Sequence, residues 1–156
     1  MTESPQDHLG YQAALDAARS GAAAGGIPIG SSLADATGVI ASGHNRRLQD
    51  SDPTAHAEID ALRAAGRRRD YRSMTLYTTL APCALCAGAI VQFKIPRVVV
   101  GEHRNFSGEL EWLRERGVEV VILDDGQAEQ MMREFILNRP ELWNEDIAQQ
   151  TEGAHP

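Results

Sequence analysis

Apolar and polar positions along the chain follow two periods, and each period predicts a different kind of element. Five short runs rich in β-favouring residues predict strands at residues 28–34, 39–44, 75–79, 97–101 and 118–123. Longer segments with helical spacing or helix-starting residues predict helices at residues 9–24, 54–65, 83–93, 127–138 and 140–149. The pattern therefore predicts an α/β fold, a three-layer α-β-α sandwich with a central five-stranded mixed sheet.

Turn and cap residues refine these elements. Asp35 to Gly38 lie between the first two runs and favour a hairpin. Asp52 followed by Pro53 is typical of a helix start, because Asp caps free N–H groups and Pro is tolerated at the first helical position. Pro82 is expected to open the next helix in the same way.

Length and composition indicate a globular chain. It has 156 residues, of which 42% are hydrophobic and 24% charged, close to the averages of folded proteins. No repeat or long linker divides it. We therefore expect one domain over residues 1–156, with a core at about 9–148 and loose ends at 1–6 and 151–156.

Negative charge is concentrated in the last third of the chain. Residues 102–152 contain 13 of the 22 acidic residues but only five Arg, and the net charge is -7. A general nucleic-acid binder would carry the opposite sign on a prominent surface, so we expect no nucleic-acid partner. No apolar run is long enough to span a membrane, and residues 1–20 lack a signal-peptide pattern. We therefore expect a cytoplasmic protein without a membrane partner.

The candidate chemistry lies in two short segments, His56-Ala57-Glu58 and Pro82-Cys83-Ala84-Leu85-Cys86. Each segment stands at the start of a predicted helix that follows a predicted strand, so both are expected at one edge of the sheet. Cys83 and Cys86 are three positions apart, which places their sulfurs on one helix face. In a reducing compartment such a pair is more typical of a metal or redox site than of a disulfide.

With the nitrogen of His56 the two sulfurs make three ligands, whereas a structural zinc site has four. An open fourth position is typical of a catalytic Zn²⁺, which acidifies a bound water. Residues at i and i+2 of a helix do not face each other, so Glu58 is not expected to share the ion with His56. Glu58 is better placed to move protons between water and a substrate.

Two other interpretations of the cysteine pair remain open at this stage. A thioredoxin-like redox centre would leave His56 and Glu58 unused, and the chain lacks a Trp before Cys83. A structural zinc knuckle would need a fourth ligand. The joint pattern of His, Glu and the two Cys is more specific than any of its parts, and it favours the catalytic metal site.

His-x-Glu followed by Pro-Cys-x-x-Cys resembles the signature of the zinc-dependent cytidine/deoxycytidylate deaminase superfamily. Other segments resemble the fungal-type cytosine deaminases in order and spacing: Gly26–Gly30, Gly43–Arg46, Thr75–Leu80, Gly88–Ile90, Ile95–Arg97, Val100–Glu102, Asn105–Phe106 and Arg139–Ile147. The resemblance spans about residues 9–148. It implies the cytidine deaminase-like sandwich, a homodimer, one catalytic Zn²⁺ per subunit, and hydrolytic deamination of a free nucleobase, with cytosine giving uracil and ammonia.

The resemblance also implies roles for single residues. His56, Cys83 and Cys86 resemble the zinc ligands, and Glu58 resembles the proton shuttle. Three neighbouring positions depart from the fungal pattern: Ala57 and Ala81, which are expected to act through their backbone groups, and Asn144, which follows Trp143 where an aromatic residue is usual. These departures do not affect the residues expected to carry out the reaction, but they bear on which substrate ring is preferred.

Substrate contacts are implied in the same way. Asn45 resembles the residue that holds the carbonyl edge of the base, and Asp146 resembles an acid that accepts the ring N1–H. Phe106 and Trp143 resemble the aromatic residues that cover the ring, while Ile29 packs against it and Ala57 lies beside it. A nucleoside carries a sugar in place of the N1 hydrogen and would leave the Asp146 charge unpaired at a cost of about 1–3 kcal/mol, so free bases are expected to be preferred.

Three related substrates remain as alternatives. Apolar walls discriminate weakly between rings of equal shape, so 5-azacytosine or another aminotriazine is one alternative to cytosine. Guanine is a second. A tRNA adenosine deaminase would have the same zinc core, but it needs a basic surface, and residues 67–72 are the only strongly basic segment of this acidic chain.

Overall fold

The computed structural model describes residues 3–149 and contains five strands and seven helices within that range. The strands are β1 (Gly30–Asp35), β2 (Gly38–His44), β3 (Thr75–Leu80), β4 (Arg97–Glu102) and β5 (Glu119–Ile122). The helices are α1 (Pro5–Ala23), α2 (Arg47–Asp50), α3 (Ala57–Ala65), α4 (Ala84–Gln92), α5 (Leu110–Glu115), α6 (Gly126–Asn138) and α7 (Pro140–Asp146). None of these helices is long and apolar enough to cross a membrane.

The strands form one mixed sheet in the order β2-β1-β3-β4-β5. β1 pairs antiparallel with β2 and with β3, whereas β3, β4 and β5 are parallel to one another. The predicted hairpin of β1 and β2 and the predicted five-stranded mixed sheet are both confirmed. The parallel strands are joined through helices α4 and α5, as parallel crossovers require.

The core has one part on each face of the sheet, because successive strand residues point to opposite sides. Leu76 and Val98 pack in the cluster that includes residues of α4 and α5, while Tyr77 and Val99 pack with residues of α1 and α6. All four side chains are at most 1% exposed. This alternation gives the predicted three layers of helix, sheet and helix.

The first helix begins earlier than predicted. Ser4 caps it by accepting a hydrogen bond from the Asp7 amide, and the Asp7 carboxylate accepts one from the Ser4 amide, which is the reciprocal arrangement of a capping box. The expectation of a loose end over residues 1–6 is therefore wrong at Pro5 and Gln6. The other predicted loose end, residues 151–156, lies outside the described residues.

The predicted helix start at Asp52 is also wrong. The Asp52 carboxylate accepts hydrogen bonds from the amide and hydroxyl of Thr54 at 2.8 Å, which stabilises a turn instead of a helix. Helix α3 begins at Ala57, and His56 occupies the N-cap position with extended backbone angles. The short helices α2 and α5 were not predicted, since four and six residues are too few to show a helical period.

Four strand ends meet at one edge of the sheet and define where the site lies. The start of β1 lies beside the end of β2, because Gly30 pairs with His44. The Gly30 amide donates to the hydroxyl of Thr79 near the end of β3, and Leu80 pairs with Glu102 at the end of β4. The segments that follow β2, β3 and β4 therefore all leave the sheet at this edge.

Candidate active site

Two helix starts bring three metal-binding side chains together at this edge. His56 is the N-cap residue of α3, Cys83 is the N-cap residue of α4, and Cys86 lies in the first turn of α4. The Nδ1 atom of His56 is 3.3 Å from the sulfur of Cys83 and 3.6 Å from that of Cys86. All three donor atoms lie within 4.8 Å of one another.

These donors fit a zinc ion. Zinc binds thiolate sulfur at about 2.3 Å and imidazole nitrogen at about 2.0 Å, so tetrahedral ligand atoms stand about 3.5–3.8 Å apart. In the described part of the chain, no fourth His, Cys, Asp or Glu joins the group. His56, Cys83 and Cys86 would therefore hold the ion with one position left for a water or a substrate atom, as catalytic zinc sites do.

The electrostatics of the three side chains suit a divalent cation. Hydrogen bonding from Cys86 and from His56 outweighs burial and lowers the pKa of Cys83 to about 4. The Cys83 thiolate in turn raises the pKa of His56 to about 9. Sharing a hydrogen bond with Cys83, together with burial, raises the pKa of Cys86 well above the usual value for a thiol. These groups must lose their protons to bind a cation, so metal binding at this site is expected to depend on pH.

Glu58 stands two residues after His56, in the first turn of α3, and is 5% exposed. Burial, reinforced by the nearby Cys83 charge, raises the pKa of its carboxyl to about 7. Glu58 lies outside the three-ligand group but lines the same cavity as His56 and Cys83. A carboxyl with a pKa near neutrality is suited both to accept and to donate a proton.

A small cavity opens beside these groups, with about 30 Å³ open to the centre of a water-sized sphere. The predicted site residues that line it are Ile29, Asn45, His56, Ala57, Glu58, Cys83, Phe106, Trp143 and Asp146. Cys86, the remaining predicted residue, is fully buried and joins the site through the ligand group. The structure thus brings every predicted site residue to one place.

Two buried polar atoms in this cavity have no hydrogen-bond partner in the described structure, Nδ2 of Asn45 and Oδ1 of Asp146. The Arg47 amide donates to Oδ1 of Asn45 at 2.9 Å, which fixes the amide group with its NH₂ free. The Asp146 side chain is 4% exposed, with Arg47 Nε at 3.9 Å and His56 Nε2 at 3.8 Å. Unpartnered buried polar atoms are rare in folded proteins, so this pair indicates a polar ligand.

Two aromatic rings close one side of the cavity. Phe106 and Trp143 pack edge to face with centroids 5.9 Å apart and an interplanar angle of 89°. Trp143 lies on α7 and is 5% exposed, and Ile29 at the start of β1 packs in the same apolar cluster. The cavity therefore has apolar aromatic walls together with one free hydrogen-bond donor, on Asn45, and one free acceptor, on Asp146.

Three residues that line the cavity were not among the predicted site residues: Leu80, Ala81 and Ile147. Leu80 ends β3 and Ala81 directly precedes Pro82, so the strand-end argument that located Cys83 also points to them. Ile147 ends the Arg139–Ile147 segment of family resemblance, but an apolar residue near a helix end most often packs in a core.

An α/β sandwich with a three-ligand metal group, a buried acid beside it and a small cavity walled by aromatic rings is typical of a metal-dependent enzyme that acts on a small substrate. Residues 4–102 match the family described as the cytidine and deoxycytidylate deaminase zinc-binding region. The chain belongs to this family of zinc-dependent deaminases, and its metal is zinc. Membership confirms the family resemblance and sets aside the redox and zinc-knuckle interpretations.

Individual relatives differ in how much of the chain they match. The chain is 46% identical over 147 residues to a cytosine deaminase of Candida albicans, covering 92% of this chain and 97% of that protein. It is 48% identical over 92 residues to a tRNA-specific adenosine deaminase of Haemophilus influenzae, covering 56% of this chain and 53% of that protein. The solved structure of guanine deaminase from Nitrosomonas europaea is 25% identical, with a TM-score of 0.72, and the match covers 86% of each chain.

Proposed function

We propose that this protein deaminates cytosine by hydrolysis, giving uracil and ammonia. The Candida relative named as a cytosine deaminase supports the proposal, because its likeness extends over nearly the whole length of both chains. The observation that carries the proposal is the pair of unpartnered atoms in the cavity, one donor on Asn45 and one acceptor on Asp146.

This pair matches one edge of cytosine. The base presents a carbonyl oxygen at C2 and a hydrogen on the adjacent N1. The free NH₂ of Asn45 would donate to that oxygen, and Oδ1 of Asp146 would accept the N1 hydrogen. A nucleoside has no N1 hydrogen, so its binding would leave the Asp146 carboxylate unpaired.

The apolar walls suit a single flat ring. Phe106 and Trp143 would cover one side of the base, with Ile29 and Ala57 against it elsewhere in the cavity. With the polar edge held by Asn45 and Asp146, these walls would turn the amino-bearing C4 toward the zinc ligands and Glu58.

Zn²⁺ bound by His56, Cys83 and Cys86 supplies Lewis-acid activation of the attacking water. Glu58 accepts a proton from this water as its oxygen bonds to C4, and delivers the proton to ring N3. Glu58 then carries the second water proton to the exocyclic amine, which leaves as ammonia as the C4 carbonyl forms. The balance is one water and one cytosine for one uracil and one ammonia, with Glu58 returned to its starting state.

Residues on α3 and α4 support a homodimer. An apolar surface, here called the α3–α4 patch, is lined by Ile59, Leu62, Tyr71, Leu85, Ala89 and Phe93. Leu85 and Phe93 are each 45% exposed. Large exposed apolar groups that form a continuous surface mark interaction sites in soluble proteins. A second copy of the chain is the proposed occupant.

We propose a cytoplasmic location, because Cys83 and Cys86 are free thiols that bind metal only when they are kept reduced. Uracil formed there would enter pyrimidine salvage.

The arrangement of the basic segment argues against a tRNA substrate. Residues 67–72 begin directly after Gly66, which caps the C-terminal end of α3, whereas His56 caps its other end. The basic segment is therefore confined to the end of α3 away from the metal ligands, and the chain as a whole has a net charge of -7, whereas a tRNA-binding surface is basic. The relatives named as tRNA-specific adenosine deaminases match only part of the chain, such as 56% of it for the Haemophilus protein.

The test is ammonia release from a panel of cytosine, 5-azacytosine, isocytosine, guanine, cytidine and adenosine. Cytosine is expected to give the highest kcat/KM, with cytidine at least about 10-fold lower because Asp146 is then unpaired. The highest value for guanine or for 5-azacytosine would replace cytosine as the substrate while keeping the chemistry. Release of no ammonia from any base would refute the proposal.

A further inference from the structure

A buried carboxylate stands directly before the loop that carries Phe106. Glu102 is the last residue of β4 and is 1% exposed. Its Oε2 accepts hydrogen bonds from the amides of Arg104 at 2.8 Å and Asn105 at 3.0 Å. Its Oε1 accepts one from Nδ2 of Asn105 at 2.9 Å. Both carboxylate oxygens of Glu102 therefore accept hydrogen bonds from the first residues of the loop.

Glu102 has no charged partner that would explain its burial otherwise. Within residues 3–149, no Lys, Arg or His side chain forms an ion pair with it. A buried carboxylate without a counter-ion is costly unless hydrogen bonds satisfy it. The loop supplies those donors, so the loop conformation and the carboxylate stabilise each other.

Glu102 and Asn105 also contact two other parts of the fold. Nδ2 of Asn105 also donates to the Glu129 carbonyl on α6 at 2.9 Å. The backbone carbonyl of Glu102 accepts from the amide of Ala81, which precedes the metal-binding turn, at 3.0 Å. Glu102 thus joins the loop to the strand end from which the Cys83 turn departs.

The far end of the loop is fixed independently. The Glu109 amide donates to the Pro82 carbonyl at 3.0 Å. Gly108 has a φ of 58°, and a Cβ at this position would lie 2.5 Å from the same carbonyl. Phe106 lies between this anchor and the Glu102 anchor, and its ring meets Trp143 over the cavity.

We infer that Glu102 is a positioning residue that holds Phe106 over the bound ring. This inference rests on the proposed function, since it assigns Phe106 to the cover of the substrate. Glu102 touches neither the cavity nor the metal ligands through its side chain. It acts by fixing the backbone one to two residues before Phe106.

Glu102→Gln is the test variant, because Gln has the same shape but replaces one acceptor with a donor. All three loop contacts to Glu102 are donors, so one of them must face the new NH₂ group. We expect kcat/KM for cytosine to fall about 10-fold or more, mainly through a higher KM, because small displacements of positioning groups cost large factors in rate. We also expect hydrogen exchange at the amides of Arg104 and Asn105 to accelerate about 10-fold or more.

A double-variant cycle shows whether Glu102 acts through Phe106. In the Phe106→Ala background, Glu102→Gln is expected to change kcat/KM by less than about 2-fold, because the ring that it positions is absent. An equal loss in both backgrounds would overturn the inference, and so would unchanged kcat/KM in the single variant. Asp7→Asn is the matched control, another buried carboxylate, and is expected to lower stability without changing KM.

The hydrogen-exchange measurement distinguishes failure of the positioning role of Glu102 from failure of the proposed function. If the wild-type protein does not act on cytosine, the proposed function fails, and exchange at Arg104 and Asn105 still decides whether Glu102 anchors the loop. Faster exchange in Glu102→Gln with full cytosine activity would instead refute the positioning role alone. Unchanged hydrogen exchange at these two amides in Glu102→Gln would show that Glu102 does not anchor the loop.

Discussion

Nε2 of His56 lies 3.8 Å from Oδ1 of Asp146. The proposed zinc ligand and the acid proposed to bind the substrate are therefore close enough to interact electrostatically. Burial raises the pKa of Asp146, while His56, Arg47 and the side chain of Asn45 act in the opposite direction. These neighbours partly offset the cost of burying the carboxylate. A substitution at Asp146 is expected mainly to weaken substrate recognition and, to a smaller extent, to change the electrostatic environment of the His56 imidazole.

Asp146→Asn tests the acceptor role. The amide keeps the shape of the carboxyl group but loses its charge, and a hydrogen bond to a charged group contributes about 1.5–3 kcal/mol. We expect kcat/KM for cytosine to fall about 10-fold or more and the preference for cytosine over cytidine to shrink. Steady-state ammonia release measures both. Glu141→Gln, at an exposed acid of the same helix, is the control and should change kcat/KM by less than about 2-fold.

Glu58→Gln tests the proton shuttle. Positioned acid–base groups contribute about 10²- to 10⁴-fold to rate, so kcat is expected to fall by a factor in that range while the zinc content stays near one ion per chain. Single-turnover kinetics and metal analysis are the measurements. The exposed acid Glu111, changed to Gln, serves as the control. A Glu58→Gln protein with bound zinc and most of its turnover would show that another group moves the proton.

Leu85→Arg tests the α3–α4 patch. An Arg at this exposed apolar position would place a charge in an interface between two copies, so we expect a monomer where the unchanged chain forms a dimer. Sedimentation velocity distinguishes the two states. Leu137→Arg is the control, because Leu137 is 75% exposed on α6, outside the patch. A wild-type monomer would refute the homodimer, and an unaffected dimer would place the interface elsewhere.

Asp7→Asn tests a buried ion pair far from the cavity. Burial favours the neutral acid, but hydrogen bonds from Arg97, Ser4 and Tyr77 outweigh it and hold the pKa of Asp7 well below its usual range. Arg97 donates to both Asp7 oxygens, and Tyr77 donates at 2.8 Å. Removing the charge is expected to lower the free energy of unfolding at pH 7 by about 2 kcal/mol.

The pH dependence of this loss has a defined sign. A carboxyl with a depressed native-state pKa stabilises the fold above its unfolded-state pKa of about 3.9, and this contribution is lost as pH falls toward the native-state value. The difference between wild type and Asp7→Asn in urea unfolding should therefore be constant from pH 7 to 5 and shrink below about pH 4. Asp16→Asn, at an exposed acid, should show no such trend. A difference that stays constant down to pH 3 would contradict the ionised pair.

The sequence predicted the strands well because each is a short run of β-favouring residues, and turn residues such as Pro96 before β4 and Gly117 before β5 precede two of them. Helix starts were harder. Asp52 has the right chemistry for a cap, yet its carboxylate closes a turn with Thr54 instead. The competing uses of one Asp side chain depend on backbone angles that the sequence does not specify.

The predicted site residues also differ in how far local sequence specifies them. His56, Glu58, Cys83 and Cys86 follow from residue types and spacing, because few other chemistries need that combination. Asp146 had no such signal, since an acid in an acidic helix is most often solvated. Its position in the cavity depends on how α7 packs across the strand ends, which is a long-range contact that local pattern does not encode.

Helix α7 carries both Trp143 and Asp146 within seven residues. On the proposed function, an outward movement of this helix would separate the indole of Trp143 from Phe106 and withdraw the Asp146 carboxylate at the same time. Substitutions that change how α7 packs would therefore be expected to alter the binding of the base and the release of the product together.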